Sequence, residues 1–221
     1  MTRLLIAVFF YCFTIHIAWA ASFECKKATT EIEKSICSSQ KLSDLDEYLG
    51  RYYAAAIAEL KDGAACLNAD QREWVKTKRN VCGSDVACLS SAYLTRLGTL
   101  NAMQPGASTL KNIELPRVPS LVAAIPAESD EVANKSTQRM LIDGHLLHEE
   151  VDIHNMGYAV KANSGQSTAF VFDMNIGNSA NHEVVRGLIE QEPQSRFSVR
   201  GWAGAAGGFD LGRCRMVYRI P

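Results

Sequence analysis

The chain has 221 residues, with 23 lysines and arginines against 24 aspartates and glutamates, and 47% of its residues are apolar. This near-neutral balance excludes a strongly basic nucleic-acid binder and a strongly acidic decoy for cationic partners. The length admits one large domain or two small ones.

Residues 1–20 read as a secretory signal. Arg3 supplies a positive start, an apolar run follows from Leu4 to Trp19, and Ala18-Trp19-Ala20 is a small-residue pattern that a signal peptidase cuts. The run is short for a bilayer span and no basic stop follows it, so cleavage near Ala20 is expected rather than a stable membrane anchor. Cys12 follows Phe10-Tyr11, which does not suit lipid attachment. Loss of Arg3 leaves a mature chain near −2, expected to be periplasmic or secreted. Its six cysteines are Cys25, Cys37, Cys66, Cys82, Cys88 and Cys214. An even number in an exported chain reads as disulfides. None forms a C-x-x-C pair, which argues against a thioredoxin-like redox site or a zinc ribbon.

From Phe23 to about Met103 the pattern is helical. Thr29 or Thr30 can cap a short helix through Cys37, with Glu31 and Glu33 in its first turn. Ser43 is expected to cap the next. Leu42, Leu45, Leu49, Tyr52, Ala56 and Leu60 then recur at three- and four-residue steps and make one apolar stripe. Lys61-Asp62-Gly63 stops that helix. Asn68 or Asp70 can start a third, carrying Trp74, Val75 and Val81. After a Gly83-Ser84-Asp85 turn, a last helix carries Leu89, Tyr93, Leu97 and Leu100. Four helices are expected, the two long central ones forming an antiparallel hairpin.

Residues 105–136 hold four of the six prolines and read as an extended connector. From Arg139 the period becomes strand-like. Strands are expected at 140–147, 157–160 and 168–174, a short helix at 182–190, and strands at 196–202 and 214–220. Three strands, a helix and two strands is the order of an OB-fold barrel. The fold class is therefore α+β: a signal peptide over 1–20, a disulfide-stapled helical hairpin domain over 21–104, the connector over 105–136, and a small OB-like β-barrel domain over 137–221.

The helical region resembles the LprI-like lysozyme inhibitor N-terminal domain family. The match is carried by Phe23-x-Cys25, Glu33-x-x-Ile36-Cys37, Leu42-x-x-Leu45-Asp46, Tyr52 or Tyr53, Gln71-x-x-Trp74, Arg79-x-x-Cys82, Cys88-Leu89, Tyr93-x-x-Arg96 and Leu100. Most of this motif is structural in character: Trp74 suits a core anchor, and Glu33, Asp46, Arg79 and Arg96 suit pairing across helices. The family cysteines admit two arrangements. Cys25 can bond Cys37 and Cys82 can bond Cys88, or the two pairs can cross between helices. Either way Cys66, outside the pattern, and Cys214 are left for each other. The resemblance implies a non-enzymatic envelope protein whose partner is a lysozyme or another envelope protein. Residues 21–105 carry eleven basic and eleven acidic residues, so only a local patch such as Asp44-Asp46-Glu47 would present acid to a cationic enzyme.

The C-terminal half offers a second candidate. Alternation puts Arg196 and Arg200 on one face of their strand, and Arg213, Arg215 and Arg219 on one face of the last. If the strands pair in step, the five arginines form a basic stripe. Beside it lies a glycine-rich loop flanked by Trp202 and Phe209, which suits a glycan or an anionic ligand. His145 and His148, three apart on a strand, fall on opposite faces and make no metal site. No hydrolase elbow, P-loop or dinucleotide fingerprint is present, so no enzyme and no cofactor are expected.

Overall fold

The computed structural model describes residues 21–103, 113–125, 139–152, 155–162, 167–171, 187–188, 190–192, 194–202 and 214–221. The signal peptide, most of the connector, Phe209 and Arg213 lie outside them.

Thr30 opens α1 (Glu31–Ser38) with a reciprocal capping box: its hydroxyl oxygen accepts from the Glu33 N–H, and the Glu33 carboxylate accepts from the Thr30 N–H. The next helix, α2 (Gln40–Leu60), is capped four residues before the expected Ser43. Ser39 is the cap, its oxygen accepting from the Leu42 N–H. Ser43 lies inside the helix, where its hydroxyl donates to the Ile36 carbonyl and ties α2 to α1. All six residues of the expected α2 stripe are buried. A 3-10 turn, Lys61–Gly63, reverses the chain into α3 (Ala64–Trp74). A π-helical segment, Val75–Arg79, and a 3-10 turn, Asn80–Cys82, follow. Asp85 caps α4 (Val86–Leu100), its carboxylate accepting from the Ala87 and Cys88 N–H groups at 2.8 and 3.0 Å. The main partner of α2 is α4 rather than α3.

The connector is not only linker. Ser120–Ile125 forms β1 and joins an antiparallel sheet with β2 (Arg139–Asp152), β3 (Asn155–Ala162), β4 (Ser167–Val171), β5 (Phe197–Trp202) and β6 (Arg215–Arg219). The spatial order is β1-β6-β5-β2-β3-β4. The closed barrel expected from strand order is not seen among the described residues. Closure would bring β4 against β6, but β6 already bonds β5 on one edge and β1 on the other. A strand has only two edges, so this closure is not made, and among the described residues β1 and β4 end the sheet without pairing.

Leu121 to Ala124 and Met216 to Tyr218 are buried at every position, so both faces of β1 and β6 are covered. The covering elements include α3, α4 and the turn after α2. Two glycines set the closeness of this joint. A Cβ on Gly63 would collide with the Ala124 carbonyl, and one on Gly98 would come within 2.8 Å of the Val118 side chain. One apolar core therefore runs from the helices into the β1–β6 end of the sheet. Three disulfides staple it. Cys25–Cys37 and Cys82–Cys88 close short loops, and Cys66–Cys214 ties α3 to the last strand across 148 residues.

Candidate functional site

The family-motif residues converge in the helical core. Asp46 on α2 is 5% exposed. Its Oδ1 accepts from the Tyr93 hydroxyl at 2.6 Å, and its Oδ2 accepts from the Ser22 N–H at 2.7 Å and the Ser22 hydroxyl at 2.6 Å. These donors keep a buried carboxylate satisfied. Burial, and then the Asp46 charge beside it, pushes the Tyr93 hydroxyl well above the ordinary tyrosine range. The Tyr93 ring meets Trp74 edge-on, with centroids 5.6 Å apart.

Arg96 on α4 carries the one buried ion pair among the described residues. It donates to Asp70 at 2.7 Å and to Gln71 at 2.9 Å, and its guanidinium lies 5.9 Å from the Trp74 ring. Its Nη2 is buried without a hydrogen-bond partner, leaving the indole face as further polar compensation. Asp70 is thus not a helix start. Its carboxylate is drawn inward by Arg96. Glu33 remains at the surface, where hydrogen bonds from the Thr30 and then the Thr29 N–H lower its carboxyl below the usual range.

Arg79 is half-buried and shares a cavity of about 370 Å³ with Asp46, Gln71 and Trp74. Arg79 lies five positions after Trp74. An α-helix would turn them well apart, but the wider π turn, bonded i to i+5, brings them round to one side. The Asp44-Asp46-Glu47 patch is not presented whole. Asp46 faces the core, Glu47 pairs with Arg51, and Asp44 accepts from Gln40 at 2.7 Å.

What the helical region leaves outside is its tip. The Cys82–Cys88 disulfide brings the two Cα atoms to 5.5 Å and closes a short loop. Gly83 holds a left-handed φ of +55°, which suits glycine. Val81 and Val86, on and beside this loop, are 71% and 46% exposed, and they are the large apolar side chains left outside among the described residues. Val81 was expected on the third helix. The π and 3-10 turns after Trp74 break the α-helical phase and put it outside. Arg72, Lys76 and Lys78 are exposed on the preceding turns, and none makes an ion pair among the described residues.

The C-terminal arginines do not fall in one row. Ladder pairing sets Arg200 opposite Met216 and Phe197 opposite Arg219. Facing residues of an antiparallel ladder share a face, so the arginine positions of β5 and β6 are offset by one. Arg196 is exposed, and Arg219 is held by Glu192, with its Nε 2.7 Å from Oε2. Arg200, Trp202 and Arg215 are placed only as strand positions.

The molecule is thus a disulfide-stapled helical hairpin fused to an antiparallel sheet, with its motif residues spent on the core. Residues 25–114 match the family described as Lysozyme inhibitor LprI, so the N-terminal region is an LprI-like domain. Over 91 residues the chain is 32% identical to proteins named Lipoprotein LprI from Mycobacterium tuberculosis and Mycobacterium bovis. The matched stretch covers 40% of this chain and 45% of those relatives. No solved structure matches.

Proposed function

We propose that the chain is an exported, non-enzymatic protein whose LprI-like region binds lysozyme and restrains it. The observation that carries this reading is the exposed, disulfide-braced tip at Val81–Val86 within the family-matched segment. A loop fixed before binding loses little conformational freedom on docking, which favours it as a contact element. The buried motif residues support the tip rather than meet the partner. Three disulfides accord with an oxidising compartment, and the relatives' name, Lipoprotein LprI, accords with an envelope location. On this reading the mature protein starts near Ala21 and works in the periplasm or outside the cell.

The mature chain should slow lysozyme-driven clearing of a cell-wall suspension in proportion to its concentration, and immobilised chain should retain lysozyme. Val81→Asp with Val86→Asp should weaken retention at least tenfold, or ~1.4 kcal/mol. Wild-type chain that neither slows clearing nor retains lysozyme would overturn the reading.

A further inference from the structure

Resting on the lysozyme reading, we infer which part of the enzyme the tip meets: it enters the catalytic cleft, with the Lys78 ammonium facing the cleft's carboxylates. The inference starts from charge. Between Gln71 and Val86 the chain carries Arg72, Lys76, Lys78 and Arg79 against the carboxylates of Glu73 and Asp85, and the Asp85 carboxylate is taken up in capping α4. Ion pairs among the described residues of the helical region lie elsewhere, at the Cys25–Lys27 turn, on α1, on α2 and in the Arg96–Asp70 core pair. The side of the molecule bearing the apolar tip is therefore its basic side, not an acidic one.

Lys78 is placed with the tip rather than merely near it in sequence. Lys78, Val81 and both cysteines of the Cys82–Cys88 bridge border one groove of about 940 Å³ between the helices and the sheet. Glu73 stands on the same wall, and the Asp70 carboxylate there is bound to Arg96. Arg72 and Arg79 line the cavity on the opposite side of α3. Lys78 is thus the cation that shares a groove wall with Val81 and the Cys82–Cys88 bridge.

A rigid apolar knob with a flanking ammonium is complementary to one kind of surface on a glycoside hydrolase. The cleft of such an enzyme holds two carboxyl groups roughly 5 to 10 Å apart across the scissile bond. Its sugar-binding walls present apolar and aromatic surface with few polar groups. Valine side chains suit those walls, and an ammonium suits the carboxylates, where water exclusion strengthens the attraction. The expected inhibition is therefore competitive with cleft-bound sugar.

The test uses the mature chain and lysozyme, with initial clearing rates giving an inhibition constant for each variant. Lys78→Glu should raise that constant at least tenfold, while Lys78→Arg keeps it near wild type. Lys41→Glu makes the same charge change on the exposed start of α2 and should move it less than twofold. A chitin trisaccharide held in the cleft should compete with the chain. Circular dichroism of each variant verifies that the fold is intact. A Lys78→Glu effect no larger than that of Lys41→Glu, or simultaneous binding of chain and trisaccharide, overturns the cleft assignment while leaving inhibition itself standing. Absence of inhibition by the wild-type chain overturns the underlying reading instead.

Discussion

At the scale of single residues, the helical region is organised around three charges taken out of water, Asp46 and the Arg96–Asp70 pair. Asp46 reads in sequence as one more acid on an amphipathic helix beside Asp44 and Glu47. Its burial became visible only when Ser22 and Tyr93, 24 and 47 residues away, met it. Nothing local distinguishes such a carboxylate from a solvated one, and the family pattern alone hinted at it. Tyr93→Phe removes the donor to Oδ1 and should cost about 1–3 kcal/mol in urea unfolding at neutral pH. The same variant changes the response to alkali. The folded state holds the Tyr93 proton above its ordinary value of 10.0, whereas the unfolded chain releases it from about pH 10. Above that pH the unfolded state binds fewer protons than the folded one, so stability falls as pH rises. Unfolding midpoints followed between about pH 9 and pH 11 should fall less steeply in Tyr93→Phe than in wild type. A residual slope should persist, because burial also raises Tyr52 and Tyr53.

Among the elements, helices and strands were legible wherever one apolar period ran unbroken. The α2 stripe is buried as its three- and four-residue spacing required, and the last two strands lie within a residue of their expected limits. The misreadings cluster where the period changes. The π turn after Trp74 carries no compositional mark in Val75-Lys76-Thr77-Lys78-Arg79, yet it moves Arg79 toward Trp74 and Val81 into solvent. The strand in Ser120-Leu-Val-Ala-Ala-Ile125 was masked by the prolines around it. Its partner β6 is the final strand, and no short window of sequence reports a pairing of that range. Ladder register was equally hidden, since one residue of offset between β5 and β6 decides which arginines align. Gly63 gives the joint between helix turn and strand a direct test. Gly63→Ala adds a Cβ where the Ala124 carbonyl sits. Overpacking of this kind should cost about 1–3 kcal/mol, read as a lowered melting temperature.

For the molecule as a whole, helices and sheet are joined by packing of β1 and by one covalent tie. Cys66 is buried in α3 and meets Cys214 at the start of β6, with the Cα atoms 5.4 Å apart. A cross-link spanning 148 residues restricts the unfolded chain strongly, by up to ~5 kcal/mol on a loop-entropy basis. Replacing both cysteines with alanine should lower the guanidinium midpoint. Hydrogen exchange should then register loss of protection in β1 and β6 before α2 and α4, since the latter keep their own core and their short-range bridges.

That long tie also fixes a demand on how the protein is made. Cys82 and Cys88 both lie between Cys66 and its partner, so the native set is non-consecutive. If thiols are oxidised in the order in which they emerge, Cys66 meets Cys82 first, long before Cys214 exists in the same compartment. Two of the native bridges can close behind the moving chain, but the third must either wait as a free thiol or be won back by exchange. Production of the native form should therefore depend on a disulfide isomerase, and a Cys66→Ala, Cys214→Ala chain should fold without one.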